Sequence, residues 1–391
     1  MRFAEIRDRI VNNPGFNSLE EIKKAGYRIV KDRDGERYFL VRQDELKPLL
    51  VRLGDIAEVR FGIKTGANEF FYLQPLEMSV AEVAKLSEEN PSIPVLVKNG
   101  AGWEGEIEAE FLKPVIKSPR EIKTIRVRLE DLRYLVFMCH LSKEELKKQG
   151  RSLALEYITW GEQAKYVCKI RGCRYRGEER KCPYHGSKSI DIDAFPNRPT
   201  CASRERWWDL GSGIDDNVVF PERQQARFFI LFNPASVFLN KSFYGVKTKS
   251  SKFVAALAIS HLFQLSTELI GRTPGGGGGP LDIDVTMAEK SIILHPSTLT
   301  FSRCQRLEKA FEQIANRKIK SVFEELGLPK PNRDYSNICP EAISLDKVLP
   351  DRRELDAVIV EVLGLTEEEQ LAVYRAVVEL VKNRLIKARS M

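Results

Sequence analysis

Residues 53–73 read LGDIAEVRFGIKTGANEFFYL, and the run at their centre, Gly62-Ile63-Lys64-Thr65-Gly66, decides between two architectures. A nucleotide-cradling loop requires Gly-x-x-x-x-Gly-Lys-Ser/Thr, whose amides wrap a phosphate while the lysine leads directly into a helix. Here Lys64-Thr65 precedes the second glycine, three residues separate Gly62 from Gly66, and the NEFFYL that follows reads as a strand. Order, spacing and context all fail. The Lys-Thr-Gly of serine β-lactamases fails too: their Ser-x-x-Lys nucleophile comes earlier in the chain, whereas Ser344 to Lys347 lies far downstream. What remains is a strand, a tight turn carrying Lys64 and Thr65, and a second strand. Such a turn can offer a cation, a hydroxyl and close backbone amides to a phosphate. An ordinary hairpin with an exposed lysine is the plainer alternative.

Working outward, 391 residues with 43% hydrophobic side chains suffice for two or three folded domains. Residues 1–50 form a small module, an amphipathic helix followed by two apolar runs around Asp34-Gly35, a hairpin signal. From 51 to 300 short strand-like runs (57–63, 69–73, 92–97, 133–138, 218–220, 227–232, 236–239) alternate with irregular Gly/Pro and basic connections. Residues 301–391 turn helical, with one helical spacing ending at Gly327 and Thr366-Glu367-Glu368-Glu369 resembling a capping box. The expected fold class is α+β: a mostly β domain with long basic loops, then a C-terminal helical region. Val254 to Ile270 is interrupted by Ser260, His261, Gln264 and Glu268, so it predicts a packed amphipathic helix and no membrane span. The charged MRFAEIRDRIVNN start lacks a secretion signal, which predicts a cytoplasmic location.

The formal net charge of +7 fits a nucleic-acid partner without requiring one. Its distribution is more informative. Lys165 to Lys188 holds eight Lys/Arg against two Glu, and Asn240 to Lys252 holds four lysines and no acid. Both segments interleave aromatics with cations, as a surface following a phosphate backbone does, although solvated loops would look the same.

Seven Cys and four His are spread over the chain, yet Cys168, Cys173, Cys182 and His185 fall within eighteen positions. Short-loop spacing of thiolates and an imidazole suits a closed tetrahedral zinc site that would staple a basic insertion, about 165–201, too polar to hold itself together. Cys201 is an alternative fourth ligand, and free thiols are the plainer reading. Asp191-Ile192-Asp193 and Asp282-Ile283-Asp284 each place two carboxylates on one face if extended. They raise the alternative of a metal-dependent site-specific DNA endonuclease, but such a centre needs a third acid and a lysine in register, and Glu121-Ile122-Lys123 has no aspartate closely before it.

The opening 53–73 stretch, with LKPVIKSPREI (112–122), YITWGEQ (157–163), CASRERWWDL (201–210), NKSFYGV (240–246), LFQLSTELIGRTPGGGGGPLDIDV (262–285) and ELDAVIVEVLGLTEEE (354–369), resembles the target-recognition domain of adenine-specific DNA methyltransferases. These belong to restriction-modification systems, especially type IIG enzymes that fuse methylase and specificity parts, and type I specificity subunits open on a similar strand. The resemblance spans roughly 50–390. The catalytic parts of that family are missing: no Pro-Pro dipeptide occurs, and the Asn-Pro pairs at 13, 90 and 233 lack the second proline and stacking aromatic that hold an extruded adenine. The glycine run 275–279 follows a helix, so it does not match an S-adenosylmethionine loop after a strand.

The resemblance therefore implies a non-catalytic recognition subunit that binds double-stranded DNA sequence-specifically and presents it to a separate methyltransferase subunit. S-adenosylmethionine would enter only through that partner, with the C-terminal helices as docking surface. It implies Arg204, Arg206 and Trp207 as base-reading and loop-bracing residues, with Trp208 beside them. Lys64, Thr65, Lys241, Lys247, Lys249 and Lys252 would be backbone contacts, and Arg272, Gly275 and Gly276 a close phosphate approach. Core tryptophans, solvated lysines and a plain glycine linker stay open as alternatives.

If the cluster binds zinc, metal analysis of the purified chain should return about one zinc per chain, and Cys173→Ser should lose it. A metal-free protein with an unchanged melting curve would refute the site.

Overall fold

The computed structural model describes residues 3–10, 14–31, 38–42, 49–164, 195–274 and 278–390. The zinc-ligand candidates Cys168, Cys173, Cys182 and His185, as well as Asp191, Asp193, Gly275 and Gly276, lie outside them. The chain packs as two compact units, Met1–Val51 and Arg52–Met391.

In the first unit, strands Tyr27–Lys31 and Tyr38–Arg42 pair antiparallel, Tyr27 opposite Arg42, as the apolar runs around Asp34-Gly35 predict. Ser18 caps helix Leu19–Lys24 by accepting from the Glu21 amide, and Ile6, Ile10, Ile22, Tyr38 and Leu40 form a small core of their own.

The second unit is mixed: among the described residues 45% are helical and 19% strand, so the β content expected of 51–300 is diluted by helices. Its described strands build two main sheets. The larger runs in the order Phe238–Leu239, Leu112–Ile116, Tyr134–Phe137, Tyr72–Pro75, Pro94–Asn99, Glu104–Glu108. The smaller runs Leu231–Phe232, Val218–Pro221, Phe243–Lys247, Glu58–Phe61. Buried Glu108 anchors helix Ser152–Gln163 by accepting from the Leu153 and Ala154 amides at 3.1 and 2.8 Å. That helix brings Tyr157 to stack on Phe70 at 4.4 Å, and the Tyr157 hydroxyl donates to the Phe70 carbonyl.

Two expectations change. Residues 69–73 are not one strand: Asn68–Phe71 is a single helical turn that buries Phe70 and Phe71, and the strand starts only at Tyr72. The 254–270 stretch is two helices, Ser251–Ala258 and His261–Ile270, bent by 72° because Ser260 ends one and caps the next through the Phe263 amide. Among the described residues no single helix is long and apolar enough to cross a membrane, and this bent pair is largely buried.

The C-terminal region is helical as expected, although the helix predicted to reach Gly327 stops at Asn316 and resumes as Val322–Glu325. Thr366 and Glu369 make the foreseen reciprocal cap. Helices Pro350–Leu363 and Glu367–Ser390 are locked to earlier residues by buried charge: Arg352 to Glu325, Asp356 to His261 at 2.7 Å, and Arg384 to Glu268 at 2.8 Å. Arg384 also donates to the carbonyls of Gly279 and Gln225. Gly278 packs so tightly here that a Cβ would stand 2.4 Å from the Arg384 carbonyl, so this end of the glycine tract serves helix packing.

Removing one partner of a buried pair strands the other's charge. Arg384→Ala should lower the unfolding free energy by about 3–5 kcal/mol in urea, while Lys85→Ala, from an exposed pair with Glu89, should change it by less than about 0.5 kcal/mol.

Candidate nucleic-acid interface

The glycine-bounded run is no hairpin. It leaves the small sheet at Phe61 and lies against residues 239–241: the Ile63 amide donates to the Leu239 carbonyl at 2.7 Å, and the Lys241 amide to the Ile63 carbonyl at 3.0 Å. Residue 240 continues the contact to the large sheet, its amide donating to the Ile116 carbonyl at 3.1 Å and its side chain to the Lys117 carbonyl at 2.9 Å. Both pairings, Ile63 with Asn240 and Leu239 with Ile116, are parallel. Three chain segments thus run side by side in one direction; exposed Lys64 and Lys241 follow at the carboxyl ends of two of them, while half-buried Lys117 at the end of the third turns its ammonium onto the Tyr134 ring. Gly62 is required because a Cβ there would sit 2.3 Å from the Asn240 carbonyl oxygen. Gly66 turns at φ +74° directly against Thr200. Between them opens a cleft of about 460 Å³ lined by Lys64, Asn68, Glu69, Thr200 and Lys241.

The residues nominated from sequence divide into outward and inward groups. Lys64, Lys241, Lys247 and Lys249 are exposed. Lys247 and Lys249 line a second cleft of about 920 Å³ with Ser250, His295 and Cys304. Lys252 is paired to Glu312 at 3.0 Å, and Arg272, exposed, reaches Asp284 at 3.1 Å. Thr65 is 2% exposed and its hydroxyl donates to Asn68, so it faces inward and not toward a phosphate. Arg204 spends its guanidinium on the carbonyls of Lys64, Thr65 and Trp207, bracing the 62–66 run instead of reaching outward. Arg206 is held by Asp209 at 3.0 Å. Both tryptophans are core: Trp207 packs on Phe70 at 4.7 Å and donates to Glu162, and Trp208 donates to the Leu141 carbonyl. Of the paired aspartates, Asp282 is bound to Arg223 and Asp284 to the Met287 amide, and no metal-ready group of three His, Cys, Asp or Glu exists among the described residues.

Sequence reading gave Lys117, Phe61 and Tyr72 no part in the site, and weighed Glu121 only as a nuclease carboxylate. Lys117 lies with its ammonium 3.7 Å from the centre of the Tyr134 ring. Phe61, an apolar residue within a strand pattern, is left 49% exposed. Glu121 and Tyr72 are buried, and neither the Glu121 carboxylate nor the Tyr72 hydroxyl has a hydrogen-bond partner among the described residues. Burial pushes the Glu121 carboxyl up to about 7 against the opposing pull of Lys117 and Arg133. Lys123, once considered its catalytic companion, is instead paired with Asp131 at 2.6 Å. Only the parallel register that joins the two sheets reveals these positions; nothing local in the sequence marks them.

Comparison with known proteins bears on this face. Residues 188–325, roughly a third of the chain, match the family of the type II methyltransferase M.Eco57I, C-terminal domain. No curated protein sequence matches the chain. A crystal structure of the type IIG restriction endonuclease BpuSI is similar at 13% identity with a TM-score of 0.45, over 88% of this chain and 32% of that one. This chain thus spans about a third of that protein's length. The likeness is too low to carry an argument.

A carboxyl whose pKa is raised by folding favours the folded state below its unfolded value, near 4.3, and loses that contribution as pH rises through about 7. The stability of wild type relative to Glu121→Gln should therefore fall between pH 4.5 and 7.5 in urea titrations; a pH-independent difference would contradict the assignment.

Proposed function

We propose that this chain recognises double-stranded DNA for an adenine-specific methyltransferase of a restriction-modification system. Recognition and catalysis are divided: the chain holds the duplex, and a separate catalytic subunit supplies S-adenosylmethionine and the base pocket. The observation that carries the reading is the meeting of exposed Lys64 and Lys241 on one cleft, at the ends of adjacent parallel segments, on a chain of net charge +7. Lysines clustered this way neutralise adjacent phosphates and release counterions. The similarity of residues 188–325 to a type II methyltransferase C-terminal domain supports the enzyme class. Lys247, Lys249 and Arg272 extend the basic surface. Arg204, braced on the Trp207 carbonyl, acts beneath it by fixing the turn that presents Lys64, and Arg206 ties its own loop to Asp209. A structural zinc in the 165–201 insertion and docking of the partner on the C-terminal helices complete the proposal.

Fluorescence-anisotropy titration with a random-sequence duplex over a salt series tests it. The logarithm of the affinity should fall linearly with the logarithm of salt, and Lys64→Ala and Lys241→Ala should each reduce the slope by about 1 with equal loss on every sequence. Binding that ignores salt, or is absent both alone and with the methyltransferase subunit, would overturn the reading.

A further inference from the structure

Phe61 ends the edge strand Glu58–Phe61 of the small sheet, and its ring is half in water. The ring is not loose. Its cross-strand partner Tyr244, 2% exposed, meets it edge-on at 5.3 Å and 85°, and the Lys64 ammonium sits 4.6 Å from its centre. The next residue, Gly62, has no side chain to cover it, and none can be added there. On one flank lie Lys64 and Lys241, which share the cleft. On the other, at the hydroxyl end of Tyr244, lie Glu222, Asp282, Asp284 and Arg272, with Arg223 and Arg272 pairing the two aspartates. An aromatic face backed by Tyr244 thus carries a lysine on one flank and a mixed cluster of acids and arginines on the other. It suits a flat partner carried on a phosphate chain.

Regular B-form DNA offers only base edges in its grooves, because stacked neighbours cover each base face. A projecting ring reaches such a face only where a step is opened. We infer that Phe61, with Lys64 beside it, stacks on a nucleobase that has left its pair, so that this surface takes locally opened duplex in preference to fully paired duplex. The inference rests on the DNA-binding reading above.

The test compares the full chain on two duplexes identical except for one central mismatch, by anisotropy across the same salt series. Wild type should prefer the mismatched duplex by roughly 5- to 150-fold, the range that one base–aromatic stack provides. Phe61→Ala should abolish the preference while leaving the salt slope unchanged and the chain folded. Phe61→Trp should keep it. Equal wild-type affinity for both duplexes, or a preference that survives Phe61→Ala, overturns the inference while leaving DNA recognition intact. If Phe61→Ala weakens binding only to paired duplex, and replacing thymine by uracil does the same, the ring reads a methyl group in the groove and stacking is excluded. No salt-dependent binding to either duplex would instead remove the DNA reading itself.

Discussion

The second unit depends on one close approach: the backbone at Gly62 passes Asn240 so tightly that no side chain fits between them. Through that contact residue 63 bonds to 239 and 241, and residue 240 bonds to 116. The small sheet and the large sheet are thereby stitched together by consecutive main-chain hydrogen bonds. Main-chain bonds fix register, and register fixes which side chains leave the junction together. Lys64 and Lys241 meet because two parallel segments stop at one level, and their mutual repulsion opposes the arrangement and is tolerated in water; Lys117, at the end of the third segment, lies over the Tyr134 ring instead.

Cations near this junction play opposite parts according to depth. Arg204 satisfies carbonyls that the irregular 64–65 backbone leaves without helix or sheet partners, and Arg198 holds Glu69 at 2.9 Å on the cleft wall. Lys64 and Lys241 keep their ammonium groups in solvent. Planar, multi-donor guanidiniums bind the loops together from inside, and flexible point charges are left for whatever approaches from outside.

Much of this architecture is legible in the sequence. The hairpin around Asp34-Gly35, the Glu58–Phe61, Tyr134–Phe137 and Val218–Pro221 strands and the Thr366 cap follow from alternation and capping chemistry. Failures occur where tertiary packing overrides local preference. The NEFFYL run begins as a helical turn because Phe70 and Phe71 are both drawn into the aromatic cluster, which a strand with alternating faces would not permit. Trp207 and Arg204 sit in a charge-rich segment, yet Trp207 is buried against Phe70 and half-buried Arg204 turns its guanidinium onto the 64–65 carbonyls. Lys117 is placed by Tyr134 and the Asn240 segment, and Phe61 by Tyr244, pairings that no local pattern announces.

The locking of the last helices has a consequence for modularity. The stretch that matches a known family ends at residue 325, yet His261, Glu268 and Glu325 inside it find their charge partners at Asp356, Arg384 and Arg352 beyond it. Homology and physical autonomy therefore part company here. A chimera joined at 325 would leave Glu268 without Arg384 and His261 without Asp356, with Glu325 holding only Arg317, so the unit that evolution or an engineer can exchange extends through Arg384 to the end of the final helix.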